Sequence, residues 1–320
     1  MKRLQASALF LAASWLLTVS ALQAGTEITD PSVTPDVAPS TDQPISQELS
    51  VDSSYTGRST MKQGSATLGG VSSINSDVNY VVSPQIKDGF LLRFGFDWER
   101  NSFGLFQGAP LPNTLQSTSA IIGADWAVSD KIIIRAELHP GIYSDFVDVT
   151  GNDFDMPLQM GGTYLYSKDL QLIFGIQVDL KSSIPIIGIP GVRWQFADDW
   201  VLSLIPPKPQ LQYSINNSLT AYVGSEILGG TYHVNNDFGT NHGDQKTNDA
   251  IMEYAEVRVG AGITWKFIPT MSLDISGGYV PYRNFTEHPS QIGFDIDDQT
   301  FHNNIKDGAP YAEVGIKGAF

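Results

Sequence analysis

From about residue 49 to the C-terminus, apolar side chains return at every second position, and nowhere after the first 24 residues does an i, i+3, i+4, i+7 stripe persist for three turns. Successive side chains of a β-strand point to opposite faces, so this period builds strands with one apolar and one polar face. Four segments carry it cleanly: Phe90, Leu92, Phe94, Phe96 and Trp98; Ile132, Ile134, Ala136 and Leu138; Leu172, Phe174, Ile176, Val178 and Leu180; and Ala255, Val257, Val259, Ala261, Ile263 and Trp265. None of these is charged, whereas the alternating partners include Arg93, Asp97, Arg135, Glu137, Asp179, Glu256 and Arg258. The body of the chain is all-β.

Alternation alone does not separate a membrane barrel from a soluble sandwich or small barrel, because exchanging inside and outside leaves the period unchanged. Connection lengths break the tie. Tight turns at Ser129-Asp130, Ser167 to Asp169, Asp198-Asp199, Asn216-Asn217 and Pro269-Thr270 alternate with long connections at 99–113, 145–157, 229–252 and 284–309. Short turns on one side and long loops on the other are the habit of outer-membrane barrels. Aromatics flank the tight turns (Trp126, Tyr164, Tyr166, Phe196, Trp200, Tyr213, Trp265, Phe267), where amphipathic rings would sit at a membrane interface. No apolar run of 18 or more residues follows the N-terminal one, so a membrane could be crossed only by strands closed on themselves. The expectation is a transmembrane antiparallel up-and-down β-barrel of about fourteen strands. Twelve is the fallback, because Pro206, Pro207 and Pro209 interrupt the stretch from Trp200 to Ile215.

The chain ends in an amphipathic strand, Tyr311 to Phe320, with Val314, Ile316 and Phe320 on its apolar face; a terminal aromatic closing such a strand resembles the signal read by the outer-membrane barrel-insertion machinery. At the other end, Lys2 and Arg3 precede an apolar run from Ala6 to Leu22, the layout of a cleaved export signal. Cleavage is placed after Ala24, with Val19-x-Ala21 as the second site and a retained membrane helix as the rival reading. Residues 25–48, with Pro31, Pro35, Pro39 and Pro44, read as a disordered periplasmic linker, and 49–320 as the barrel domain. The net charge of −15 argues against nucleic acid as a partner, and the absence of Cys removes disulfides, thiolate metal sites and thiol nucleophiles. No cofactor or metal is expected. Outer-membrane lipid, lipopolysaccharide and the insertion machinery are the expected partners, and the oligomeric state is left open.

The stretch Leu111 to Phe146, followed by GVRWQFADDW (191–200) and the proline-broken LSLIPPKPQLQYSI (202–215), resembles an outer-membrane β-barrel family known as a domain of unknown function. The resemblance implies a fold and an address in the outer membrane. It implies no activity and supplies no catalytic residue.

Alternation predicts an inward face carrying Arg93, Asp97, Arg135, Glu137, Asp179, Arg193, Glu226, Glu256, Arg258 and Asp274, together with Lys181, Lys266, Glu313 and Lys317. Charges are tolerated there if the lumen is wet, whereas Arg or Lys facing lipid would cost roughly 2–4 kcal/mol at mid-membrane. Two readings follow: a porin-like passive channel for small solutes whose charges act as a filter, or a lumen filled by Arg–carboxylate pairs that leave no path. A non-conducting surface-interaction barrel working through its long loops is the second functional class. A third is a rim hydrolase built on His139, which is followed by Tyr143, Ser144 and Asp145. In the loops, Asp148, Asp153, Asp155, Asp237, Asp244, Asp295, Asp297 and Asp298, with His233, His242, His288 and His302, read as a solvated acidic surface, with Ca²⁺ as the alternative.

Overall fold

The computed structural model describes residues 45–63, 66–243, 245–289, 301–306 and 308–320. The expected export signal, the part of the expected linker up to residue 44, and the loop acids Asp244, Asp295, Asp297 and Asp298 lie outside the described residues. Seventeen strand segments follow in chain order: β1 (Ile45–Gln63), β2 (Ala66–Lys87), β3 (Phe90–Gly104), β4 (Thr114–Ser129), β5 (Ile132–Leu138), β6 (Gly141–Ser144), β7 (Phe154–Asp155), β8 (Leu158–Leu165) and β9 (Leu170–Val178). They continue with β10 (Ile186–Ala197), β11 (Trp200–Leu204), β12 (Gln210–Asn216), β13 (Leu219–His233), β14 (Ala250–Ile268), β15 (Met271–Pro289), β16 (Phe301–Lys306) and β17 (Ala309–Ala319). Because β5 and β6, β7 and β8, and β16 and β17 each share one stave, the result is a closed antiparallel barrel of fourteen strands. Among the described residues no helix is long and apolar enough to cross a membrane.

Closure is made by β17 pairing with β1 from Glu48↔Ala319 to Thr56↔Tyr311, and Gln47 and Phe320 exchange backbone hydrogen bonds of 2.9 Å. The first strand is described from Ile45, four residues earlier than the sequence boundary at 49; Ile45 to Glu48 pair with Val81 to Pro84 of β2, and the terminal strand joins from Gln47. The short hairpin is real: β11 has five residues and β12 seven, and they pair with each other as well as with β10 and β13. Prolines 206, 207 and 209 stop the strands there, since each lacks a ladder donor.

The tight turns cluster at one end. Side chains close them, as Ser167 accepts from the backbone N–H of Asp169 and Leu170, and Asn216 accepts from that of Ser218. Around the outside runs an apolar belt that includes Phe94, Phe96, Ile122, Phe174, Val223, Ile263, Ile275, Val314 and Ile316, all exposed to the surroundings. Toward the tight turns the belt is edged by an aromatic chain, Trp194–Phe196–Trp200–Tyr213, with successive ring centroids 5.6, 6.3 and 4.8 Å apart. A continuous apolar exterior with an aromatic girdle is what a lipid-facing wall requires. The opposite faces of the same strands carry the polar set into the lumen.

At the loop end the longer strands outrun the belt and close again at smaller diameter. β6 pairs in parallel with β13 at Ser144↔His233, so that β13, β14, β15, β16, β1, β2, β3, β4 and β6 complete a nine-strand ring above the short strands β8 to β12. Gly229, at φ +156°, allows β13 to lean onto β14, where a Cβ would collide with the Tyr254 carbonyl. Ala255 and Val257, expected on the lipid face, are buried at 6% exposure in this narrowed section rather than in the belt.

Candidate functional site

The lumen is built in three levels. Nearest the tight turns, Arg93 of β3 reaches Glu48 of β1 with two hydrogen bonds of 3.0 and 2.9 Å, and also bonds Glu137 of β5. Its third carboxylate, Asp125 of β4, lies 3.6 Å away and in turn receives both Nε and Nη2 of Arg135 at 2.7 and 2.8 Å. Neighbouring strands supply alternating signs, and the fork-shaped guanidinium bridges carboxylates across the wall.

At mid-height a second network crosses the lumen. Glu256 of β14 accepts from Arg258 and from Arg283, each at 2.7 Å, from Tyr254 at 2.6 Å, and from Thr56 of β1 at 3.1 Å. Arg258 also bonds Glu313 of β17 at 2.8 Å and Ser54 of β1 at 2.8 Å, and lies 3.5 Å from Glu226. Lys208, from the connection between β11 and β12, places Nζ 2.6 Å from Glu226 and 3.7 Å from Glu313. Two cavities meet at this point. The lower, of about 200 Å³, is lined by Gln212, Tyr222, Thr264, Asp274 and Lys317 among others, with Tyr222 and Thr264 both donating to Asp274 at 2.7 Å. The upper, a water-sized pocket of about 30 Å³, reaches Asn75, Asp77, Asp97, Glu99 and Leu228. Asp52, Lys208, Glu226 and Glu313 line both.

Above the upper cavity the nine-strand ring is packed solid. Phe103, Tyr254 and Phe285 contact one another with centroids 4.9 to 5.2 Å apart, and Met61, Val71, Leu115, Tyr143, Tyr232 and Met252 fill in around them. The connections add Leu111, Val234 and Phe238, the last from helix α1 (Phe238–His242). Phe103 of β3 and Phe285 of β15 meet from opposite sides of the ring, and Asn101 of β3 donates to Tyr232 of β13 at 3.4 Å. This is an apolar cap inside the barrel.

Outside the ring, the loops of the shorter strands lie against its wall. His233 is sandwiched between Asp153 on Nδ1 and Asp249 on Nε2, both at 2.7 Å, and Asp145 accepts from Asn235 through backbone N–H and side chain at 3.2 and 2.7 Å. Glu253 is fully buried against the 179–185 turn; it accepts from Ser182 and Ser183, with His288 Nε2 at 3.4 Å. Burial alone would raise its pKa, but His288 and Ser183 outweigh that and hold it below the ordinary 4.5.

Of the ten residues expected to line a pore, Glu226 and Asp274 line the lower cavity and Asp97 the upper one. Arg93, Glu137, Glu256 and Arg258 face inward but are at most 2% exposed, held in the two networks. Arg135 is partly open to the lumen beside Asp125, Arg193 is half-buried on the inward face of β10, and Asp179 is buried just beyond β9, where it accepts from the backbone N–H of Lys181. Val314, Ile316 and Phe320 face outward, and Tyr311, of the opposite parity, faces inward. It is 8% exposed on the lumenal face, with Arg258 5.1 Å over its ring. His139 is not at a rim: it is 1% exposed inside the barrel, with Nε2 3.6 Å from the Glu137 carboxylate. Tyr143 donates to its backbone carbonyl, and Ser144 and Asp145 serve turns, so no nucleophile–base pair forms around it. Asp153, expected in a solvated loop, is buried on His233. Sequence reasoning missed Glu48, assigned to the linker, and Arg283 and Lys208. Glu48 shares the alternation of Asp52, which was a usable signal; Lys208, alone among prolines, offered none.

A lumen of opposed charges inside an apolar belt defines the class: an outer-membrane type β-barrel with a porin-like fold. The chain belongs to the family described as Domain of unknown function (DUF6268), which matches residues 108–318. No curated protein sequence matches it. Similar solved structures include the COG4313 outer membrane channel from Pseudomonas putida F1 (12% identity, 90% of this chain and 100% of that one, TM-score 0.43). A TodX monoaromatic hydrocarbon channel mutant (10%, 87% and 91%, TM-score 0.44) and the NanC porin (13%, 84% and 98%, TM-score 0.38) are also similar. None of these likenesses carries a solute or a mechanism over to this chain.

Proposed function

We propose that the protein is a passive outer-membrane channel for small polar solutes, closed on its external side by the apolar cap. The observation that carries this reading is the polar lower cavity of about 200 Å³, with a water-sized pocket stacked on it. Together they form a polar path that rises from the tight-turn end, passes the Lys208–Glu226–Glu313 junction, and stops beneath Phe103, Tyr254 and Phe285. A wall built only for rigidity gains nothing from such voids, since unfilled volume forfeits packing contacts. Export, an apolar belt and short turns facing the periplasm are consistent with an outer-membrane address.

The apolar cap favours a second reading, a barrel that does not conduct and acts through its external collar. Single-channel current in a planar bilayer separates them. A variant in which residues 236–248 are replaced by Gly-Ser-Gly, combined with Phe285→Ala, removes the loop's share of the cap and one ring of its centre. The expected result is discrete steps that are larger in this variant than in the full chain. Silence from both, in protein whose heat-modifiable band shows it folded, would overturn the channel reading.

A further inference from the structure

Lys208 sits in the lumen although it comes from the shortest hairpin of the barrel. It is flanked by Pro207 and Pro209, whose rings fix φ and whose carbonyls accept from Ile227 and Ser225 of β13 at 2.9 and 3.0 Å. The segment is thus a stiff rail bonded along β13, and a single flexible side chain leaves it to cross into the path. Its ammonium meets two carboxylates, Glu226 at 2.6 Å and Glu313 at 3.7 Å, at the point where the two cavities join. Both carboxylates also belong to Arg258.

Among the described residues lining the upper cavity, the charged groups are Asp52, Asp77, Asp97, Glu99, Glu226 and Glu313 against Lys208 alone. A water-sized pocket of that sign beneath an apolar cap draws cations and repels anions at its mouth, which a small cation reaches from the lower cavity. What distinguishes it from an acidic surface is the occupant already seated at its mouth. The Lys208 side chain is a primary alkylammonium held by the chamber's own carboxylates, so the site has the size and polarity for that group.

We propose that the path takes small organic cations bearing a primary ammonium, and that Lys208 is a tethered competitor which such a cation displaces from Glu226 and Glu313. Its transport arm rests on the channel reading above; its binding arm does not. No covalent step is involved: one ammonium is exchanged for another on the same two carboxylates, and the released lysine swings into the lower cavity.

The test uses the full chain and Lys208→Ala, which leaves the carboxylates in place and vacates the space of the lysine stem. The midpoint of heat-modifiability in detergent is measured in ethylammonium chloride and in NaCl at equal ionic strength. The expected outcome is that Lys208→Ala lowers the midpoint in NaCl, that ethylammonium restores it, and that adding Glu226→Gln abolishes the restoration. If Lys208→Ala folds poorly, the yield of folded band in the two salts becomes the readout. A higher yield in ethylammonium supports the proposal. Equal midpoints, or equal yields, in the two salts overturn it. In bilayers under a KCl gradient, Lys208→Ala should shift the reversal potential toward greater cation preference, and an unchanged potential or an anion-selective path would overturn the transport arm. Silence in the bilayer would sink the channel reading, leaving ethylammonium rescue to decide the binding site by itself.

Discussion

The two ends of the lumen are made by the same strands and have opposite interiors. Along β14, Thr264 faces a polar cavity toward the tight turns, while Tyr254 and Met252, on the same face nearer the loops, are packed into the cap. Along β13, Tyr222 and Glu226 border open volume, and Tyr232 is buried. The face is continuous; what changes is the ring's diameter. Fourteen strands leave space that side chains of ordinary length do not fill, and nine strands bring opposite walls into contact, as Phe103 and Phe285 show. Water therefore decides the worth of each interaction: in the wide end it reaches the pairs that open on the lumen, such as Arg135–Asp125, although Arg93 and Glu137 are shielded from it, and in the narrow end it is excluded.

The largest expected difference is between a buried arginine at mid-height, Arg258, and an open one toward the tight turns, Arg135. Arg258 is 1% exposed and serves Glu256, Glu313 and Glu226, so Arg258→Ala leaves buried carboxylates without their base and should cost roughly 3–5 kcal/mol. Arg135 makes an equally short bidentate contact with Asp125, but its side chain is 37% exposed, and Arg135→Ala should cost under about 1 kcal/mol. Equilibrium urea unfolding in detergent micelles measures both, and equal losses would erase the contrast.

This contrast also marks how far the residue pattern could be read. The fourteen strands, the tight-turn end, and the inward face of Arg93, Glu137, Glu256 and Arg258 follow from alternation, because strand geometry ties period to face without regard to what lies beyond it. The narrowing does not follow, because β6 meets β13 across a long sequence separation and at one residue pair. Without it, Phe103, Tyr254 and Phe285 are only inward aromatics, and Ala255 and Val257 look like lipid-facing residues. Lys208 was hidden for a related reason: prolines announce the end of a strand but not where the side chain between them goes.

The collar outside the narrow end should respond to acid. Glu253 has a folded-state pKa below its ordinary 4.5, so its contribution is complete above that value and is lost as pH falls through the lower one. Glu253→Gln should remove about 1–3 kcal/mol near neutrality, the cost of weakening a buried acceptor that Ser182 and Ser183 depend on. It should also flatten the acid limb of the stability profile. Wild type and Glu253→Gln losing stability in parallel between pH 5 and 3 would show that the acid response arises elsewhere.

The smallest effect gives the cleanest comparison, because one substitution can be made at both ends. Tyr254 donates to Glu256 at 2.6 Å inside the cap, and Tyr222 donates to Asp274 at 2.7 Å beside the lower cavity. Each Tyr→Phe change removes one hydroxyl from one carboxylate at nearly the same distance. At position 254 no water can replace the lost donor, and the loss should be about 1.5–3 kcal/mol, as for a buried hydrogen bond to a charge. At position 222 the cavity admits water to Asp274, and the loss should fall below about 1 kcal/mol. If the two variants unfold at the same urea concentration, the lower cavity is as dry as the cap, and the polar path proposed for solutes would have no solvent in it.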